Sequence, residues 1–533
     1  MNDNYNDMSA TKHRGKRVTM WTAALAAALL AERAAGQNDD GPGLLGLTFA
    51  TPIEQAAARA NDLVFRTLEP ECNPSGVLDT LPSPEFGDAA GAGNLGPLCN
   101  PDAFHVYANA RELAHTANEL QGLGPTVASL GLDLEGLGRA LRWTAAEELA
   151  AQGAMATQFA NGQLATLAAR LTALRFGPSV VGTTTFHDRL RRSSPLFAQA
   201  GEPEPADPDA PRETFSPWGG FLNYGFGYGT KTPTPLEDAF DFDGSEITLG
   251  IDYRLRNNVV LGGILGWTRQ DIDFDEAASP ISVVDGSIDA KGKSFIVFAL
   301  AQGERLTVSG SLGVQSLDYG VDRHIQYPSF NPDIESTNSL ARSEPRSDIE
   351  TATFGLGYAF TWTRLTLEPY YSLEHLDITV DAFAEERSIE RFSNREDTHR
   401  FELSVSGQDV KSLKSTIGVR FQYVVTPRLG FIVPFWTVAA HREHEDRSRT
   451  ITSGYAVLAD VLGSQTFELP TDAPPQHYYT VSAGFSMLLR GGRPRRADGP
   501  VAGGISGFVQ LTAVRDRAPY DDSVLTAGLR YEF

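Results

Sequence analysis

The chain ends in Tyr520-Asp521-Asp522-Ser523-Val524-Leu525-Thr526-Ala527-Gly528-Leu529-Arg530-Tyr531-Glu532-Phe533. From Leu525 onward the odd positions are Leu525, Ala527, Leu529, Tyr531 and Phe533, and the even ones between them are Thr526, Gly528, Arg530 and Glu532. Successive side chains of a β-strand point to opposite faces, so this alternation describes a strand with one apolar and one polar or small face. A soluble strand can alternate in the same way. Here the apolar face ends on aromatics, and many similar stretches precede it.

Going upstream, Tyr479, Val481, Ala483, Phe485 and Met487 alternate with Thr480, Ser482, Gly484 and Ser486. Phe354, Leu356, Tyr358, Phe360 and Trp362 face away from Gly355, Gly357 and Thr361, and the series begins with Trp218, Leu222, Tyr224, Phe226 and Tyr228. The strands from Pro217 to Phe533 are joined alternately by short turns and long segments. The short turns are Arg256-Asn257-Asn258, Gln302-Gly303-Glu304, Thr363-Arg364 and Thr426-Pro427-Arg428. The long polar segments lie near 231–243, 270–290, 318–347, 378–400 and 441–476. Apolar-out strands, short turns at one end and long loops at the other predict an all-β transmembrane barrel of twelve antiparallel strands over residues 216–533. Trp218, Trp267, Trp362 and Trp436 near strand ends suit the aromatic girdles of such a barrel.

Composition agrees. A formal charge of −22 argues against a nucleic-acid partner, which requires an excess of Lys and Arg. No internal run approaches the roughly 18–20 apolar residues of a spanning helix, so a membrane crossing must use strands.

The N-terminus carries Lys12, His13, Arg14, Lys16 and Arg17 before the apolar run Val18 to Ala31, then Ala34-Ala35-Gly36. We read residues 1–36 as a secretory signal. Residues 37–142 form a short region, mainly α-helical, with amphipathic signals at about 50–68 and 103–120. Residues 143–178 carry a strong helical pattern ended by Gly177-Pro178, and 179–215 are a Pro-rich linker. In an exported protein Cys72 and Cys99 are expected to form a disulfide; the alternatives are two free thiols or metal ligands without a partner pair.

With these features in hand, residues 215–533 resemble the C-terminal translocator domain of autotransporters (type V secretion). The most specific match is Thr526-Ala527-Gly528-Leu529-Arg530-Tyr531-Glu532-Phe533. Gly507-Phe508-Val509-Gln510-Leu511 and Pro369-Tyr370-Tyr371-Ser372-Leu373-Glu374-His375-Leu376-Asp377 also match. The resemblance implies export by the Sec route, periplasmic chaperones, and insertion of a monomeric barrel into outer-membrane lipid by the barrel assembly machinery. Phe533, Tyr531 and Leu529 would then form the signal read by that machinery. Residues 161–175 resemble the family's luminal linker helix, which would put Asn161, Leu164, Leu167, Arg170, Leu171, Leu174 and Arg175 inside the barrel. The other reading of this stretch is an ordinary amphipathic helix of a periplasmic domain. Some family members cut themselves beside an Asn in this helix; Asn161 is the one candidate, in surroundings that match poorly. Family passengers are usually long β-helices or enzymes, whereas this N-terminal region is short and helical.

Other constellations carry little. Gly225-Phe226-Gly227-Tyr228-Gly229-Thr230-Lys231 looks like a phosphate loop but is not followed by a helix. His441, Glu443, His444, Glu445 and Asp446 read as a solvated external loop, and Arg490, Arg493, Arg495 and Arg496 as a basic periplasmic turn. No catalytic set, metal site or cofactor motif stands out. The expected function is therefore non-enzymatic: an outer-membrane autotransporter that translocates or displays its N-terminal segment. The alternatives are a plugged barrel acting in adhesion through its loops, or a small-solute pore.

Overall fold

The computed structural model describes residues 42–176 and 217–533, apart from 256–257, 275–281, 388–399, 426–431, 464–465, 491–492, 495–500 and 503. The expected signal peptide, the Gly177-Pro178 stop, the Pro-rich linker and the turn at Thr426-Pro427-Arg428 lie outside the described residues.

Twelve strands form the barrel: β1 (Trp218–Lys231), β2 (Phe240–Arg254), β3 (Val259–Phe274), β4 (Gly286–Gln302), β5 (Leu306–Tyr327), β6 (Arg346–Tyr358), β7 (Leu365–Val380), β8 (Gln408–Tyr423), β9 (Ile432–Glu443), β10 (His477–Arg490), β11 (Ile505–Arg515) and β12 (Tyr520–Glu532). Each pairs antiparallel with its sequence neighbour, and β12 closes on β1 through Leu222↔Leu529 and Tyr224↔Ala527. Closure leaves the sheet no open edge, which a strand structure in lipid requires. Phe533 caps this closure. Its amide donates to the Trp218 carbonyl, and its ring lies where a Cβ on Gly220 would come within 3.1 Å, so the close approach depends on that glycine.

Polarity across the wall follows the alternation read from the sequence. On β2, Ile247, Leu249 and Ile251 are about half exposed on the outer face, while Glu246, Thr248 and Asp252 are buried on the inner one. Among the described residues no helix is long and apolar enough to cross a membrane, so the strands do the crossing.

The long polar loops need correcting. The stretch 270–290 is strand at both of its ends, since β3 runs to Phe274 and β4 starts at Gly286, and β5 has 22 residues, about twice the 9–11 that a crossing needs. In these extensions the polarity of the wall is reversed. Leu317, Tyr319, Val321, Ile325 and Tyr327 of β5 point inward and are at most 3% exposed, with Asp318, Asp322 and Gln326 between them on the outer side. Outward acidic and polar residues such as Asp318, Asp322 and Gln326 made these stretches look like solvated loops. Segments 378–400 and 441–476 also carry strands. Four short strands, Phe383–Ala384, Leu403–Val405, Thr450–Tyr455 and Phe467–Pro470, form a separate antiparallel sheet at the mouth.

The N-terminal region forms a helical cap over this mouth. Helix α1 (Pro52–Cys72) starts with a capping box of Thr51 and Glu54. After the short α2 (Phe86–Ala92), α3 (Pro101–Leu120) is capped by Asn100 and α4 (Leu134–Ala145) by Asp133. Cys72 and Cys99 form a disulfide that ties the end of α1 to the start of α3. The helical stretch expected from residue 143 is divided. Trp143 belongs to α4, Ala146 turns the chain in the left-handed region (φ 57, ψ 50), and α5 spans Ala150–Phe176.

Candidate functional site: the luminal helix and the seam at the barrel mouth

Helix α5 has 27 residues, about 40 Å of helix, which matches the thickness of a membrane. Its first turns sit at the mouth, where the Tyr319 hydroxyl donates to the Gln152 carbonyl and Gly153 makes room for the Arg449 guanidinium. Midway, the inner wall supplies Glu246, which accepts hydrogen bonds from Thr166 and, at 3.0 Å, from Gln163; Ser294 donates to Gln163 at 2.9 Å. Near the end with the short turns, Arg170 donates to Asp252 at 2.5 Å, and Arg530 of β12 donates to the other oxygen of that carboxylate at 2.9 Å. Arg170 also lies 4.5 Å over the Phe221 ring. Leu167 and Leu174 pack against Phe221, Val260, Ile296 and Leu300 at this end, with Leu171 at the edge of the cluster.

The remaining residues named for this helix are placed as follows. Leu164 joins the large core that continues into the cap. Asn161 lies in regular helix with its side-chain oxygen accepting from Lys414, 2.8 Å away. Arg175 is in the same helix, and its side chain lies outside the described residues. Leu529, Tyr531 and Phe533 are 41–52% exposed on the outer face of β12 and just beyond it. A cavity of about 280 Å³ runs beside α5, with Thr416, Thr437, Thr480, Ser482 and Thr512 among its walls.

At the mouth, cap and barrel share one hydrophobic core. It runs from Leu44, Phe65 and Leu113 of the cap through Tyr319 and Ile325 of β5 to Phe401 and Phe467 of the external segments. Buried polar groups fix the seam. Arg323, 0% exposed, makes two hydrogen bonds to Glu385 (2.9 and 2.6 Å) and donates to the carbonyls of Phe401 and Trp143. Tyr455 donates to Asn61, whose amide nitrogen reaches Thr144. On the far side Lys231 pairs with Glu237 and Asp472.

Sequence reasoning missed this seam. Arg323, Glu385, Asn61 and Tyr455 come from segments read as separate, and only a charge set in the apolar alternation of residues 317–327 hinted at it. His441, read as part of a solvated loop, lies on the wall of β9, where its two ring nitrogens meet Thr416 and Thr480 at 2.9 and 2.8 Å. Among the described residues no group of three or more His, Cys, Asp or Glu is placed to hold a metal ion.

Comparison with known proteins follows this geometry. The Autotransporter beta-domain family model matches residues 220–492, just over half of the chain. Among solved structures, the translocator domain of autotransporter NalP from Neisseria meningitidis is 14% identical, with a TM-score of 0.42, covering 67% of this chain and 98% of that one. The beta domain of the Bordetella autotransporter BrkA is 14% identical, with a TM-score of 0.37, covering 59% and 99%. The transport unit of AIDA-I from Escherichia coli is 11% identical, with a TM-score of 0.34, covering 66% and 99%. Among curated proteins none matches in sequence. By the match of its β-domain, the chain belongs to the autotransporter family and is a β-barrel protein of the outer membrane.

Proposed function

We propose that this protein exports its own N-terminal region through the barrel and keeps it at the cell surface as a folded cap. The observation that carries this reading is the course of α5, which enters the lumen at the mouth beside the cap and ends near Asp252 and Leu300, at the opposite end. A chain that follows this course has its cap on the side of the long segments, while both barrel termini lie on the other side. Retention is supported by the shared core and by Arg323 and Tyr455, which join the cap to barrel segments far away in sequence. Leu529, Tyr531 and Phe533 are the residues by which the barrel assembly machinery would recognise the chain, after delivery by periplasmic chaperones. No catalytic step is part of this reading.

The test is an epitope tag inserted beside Leu45, which is 52% exposed on the cap. External protease should remove the tag from intact cells, and without protease the tag should stay in the outer-membrane fraction. Protection until the outer membrane is permeabilised would overturn export, and appearance of the tagged fragment in the medium would overturn retention.

A further inference from the structure

The elbow between α4 and α5 gathers more buried carboxylates than cations to match them. Glu147 and Glu148 follow Ala146, and within the seam they meet Asp238 from the β1–β2 connection and Glu385 from the segment after β7. The cations are Arg142 of α4 and Arg323 of β5. All six are at most 6% exposed. Arg142 is shared by Glu147 at 2.7 Å and Asp238 at 3.5 Å, and Asp238 also accepts the amides of Val283 and Val284. Arg323 is taken by Glu385 and two carbonyls. Lys231, whose charge also acts on Glu147, is held by Glu237 and Asp472. Glu148 therefore has no cation to itself, and neither of its carboxylate oxygens receives a hydrogen bond from another residue. An ionised carboxylate in that state is costly, and a protonated one much less so.

We infer that this elbow is a proton-operated latch, holding the cap closed on the barrel mouth while Glu148 carries a proton and loosening the seam when it does not. The inference rests on the reading of residues 43–145 as a docked cap. The backbone favours such a hinge, because Ala146 sits in a left-handed conformation that is unfavourable for a non-glycine residue and persists only while its surroundings hold it. Burial is the main cause that pushes the Glu148 carboxyl up to about 8, against the pull of Arg323 and with the help of Glu147 and Glu385. Burial likewise takes Glu147 to about 7, opposed by Arg142 and Lys231 and reinforced by Asp238. Both groups are raised in the folded state. Their contribution is thus fully present below the ordinary value near 4.5 and is lost as pH rises to between 7 and 8.

The experiment follows helix melting by circular dichroism in the full-length protein in detergent from pH 5 to pH 9, for the native sequence and for Glu148→Gln. Each such carboxyl lowers the folding equilibrium up to tenfold per pH unit across that window, so the native cap should melt at progressively lower temperature up to pH 8. Glu148→Gln should remove one such tenfold step, while Glu135→Gln, exposed on α4, should leave the slope as it was. An unchanged slope in Glu148→Gln overturns the latch. If that variant does not fold at pH 5, hydrogen exchange of amides 143–152 in the native protein decides. Protection that falls with pH beyond the intrinsic rate supports the latch, and constant protection overturns it. Because the melt uses purified protein, its outcome is independent of where the tagged cap lies in cells.

Discussion

The two halves of β5 follow opposite rules. In the half near Leu306, Leu312 and Val314 are 63% and 57% exposed on the outside, while Ser311 and Gln315 face in. In the half near Tyr327 the apolar side chains turn inward and the acids outward. The strand itself is continuous, although beyond Asp318 its partner on one side changes from β6 to the short strand Thr337–Ser343, and its surroundings change with it: hydrocarbon surrounds the first half, and water outside with a helical cap inside surrounds the second. A single strand thus records where the membrane ends, and the second half gives the cap a conventional dry core to join.

The largest expected effect tests whether that upper half holds the cap. Arg323→Ala strands Glu385 in the seam and removes the donor from two carbonyls, a loss of about 3–5 kcal/mol for a broken buried pair. Helix melting should fall sharply while the heat-dependent gel mobility of the barrel stays native. Arg269→Ala, in an exposed pair with Asp271 and Asp289, should leave the melt almost unchanged, because solvent screens a surface ion pair. Equal effects of the two substitutions would break the comparison. Next in size, replacing both Cys72 and Cys99 by Ala removes a link across a separation of 27 residues, worth about 3–4 kcal/mol to the cap and nothing to the barrel.

These contrasts follow from what the sequence can carry. The barrel was legible because its alternation is local: Phe354 to Trp362 or Leu525 to Phe533 can be read without knowing any partner. Helices α1 and α3 of the cap were legible by the same logic, through the amphipathic signals at about 50–68 and 103–120. Export predicted the bond between Cys72 and Cys99, and the two sulfurs are joined. The seam was not legible, since Arg323 meets Glu385 and Trp143, which lie 62 and 180 residues away. The strand extensions were misread because Asp241, Asp243, Asp271 and Asp273 alternate with Phe240, Phe242, Ile272 and Phe274, a pattern that resembles a charged loop until an inner partner is supplied. The luminal partners Glu246 and Asp252 left a faint trace, as acids on the inward face of an otherwise small or neutral strand side.

The lower half of β5 can be tested on its lipid face. Leu312→Arg should cost the barrel about 2–4 kcal/mol if that side chain lies near the middle of the membrane, whereas Gln326→Arg, exposed on the outer side of the upper half, should cost almost nothing. Yields of folded, heat-modifiable barrel in outer membranes measure both. Equal tolerance would mean that the change in polarity along β5 does not mark the membrane boundary.

The smallest effect is the most specific. Asn61 is 0% exposed; its amide nitrogen serves Ala57 and Thr144 within the cap, and its oxygen accepts from Tyr455 of the external sheet. Tyr455→Phe keeps the ring and its edge-on contact with Phe467 and removes a bond that joins α1 to that strand, at about 1–3 kcal/mol for the oxygen left unsatisfied. Asn61→Leu removes all three of these bonds at once, so its cost alone says nothing about the seam. The double variant does: if the cap is docked as described, the two costs should fall short of adding by about 1 kcal/mol. Additive costs would mean that cap and sheet do not meet in solution, and the shared core at the mouth would then fail as the basis for retention, while the closed barrel below it, which rests on its own pairing, would stand.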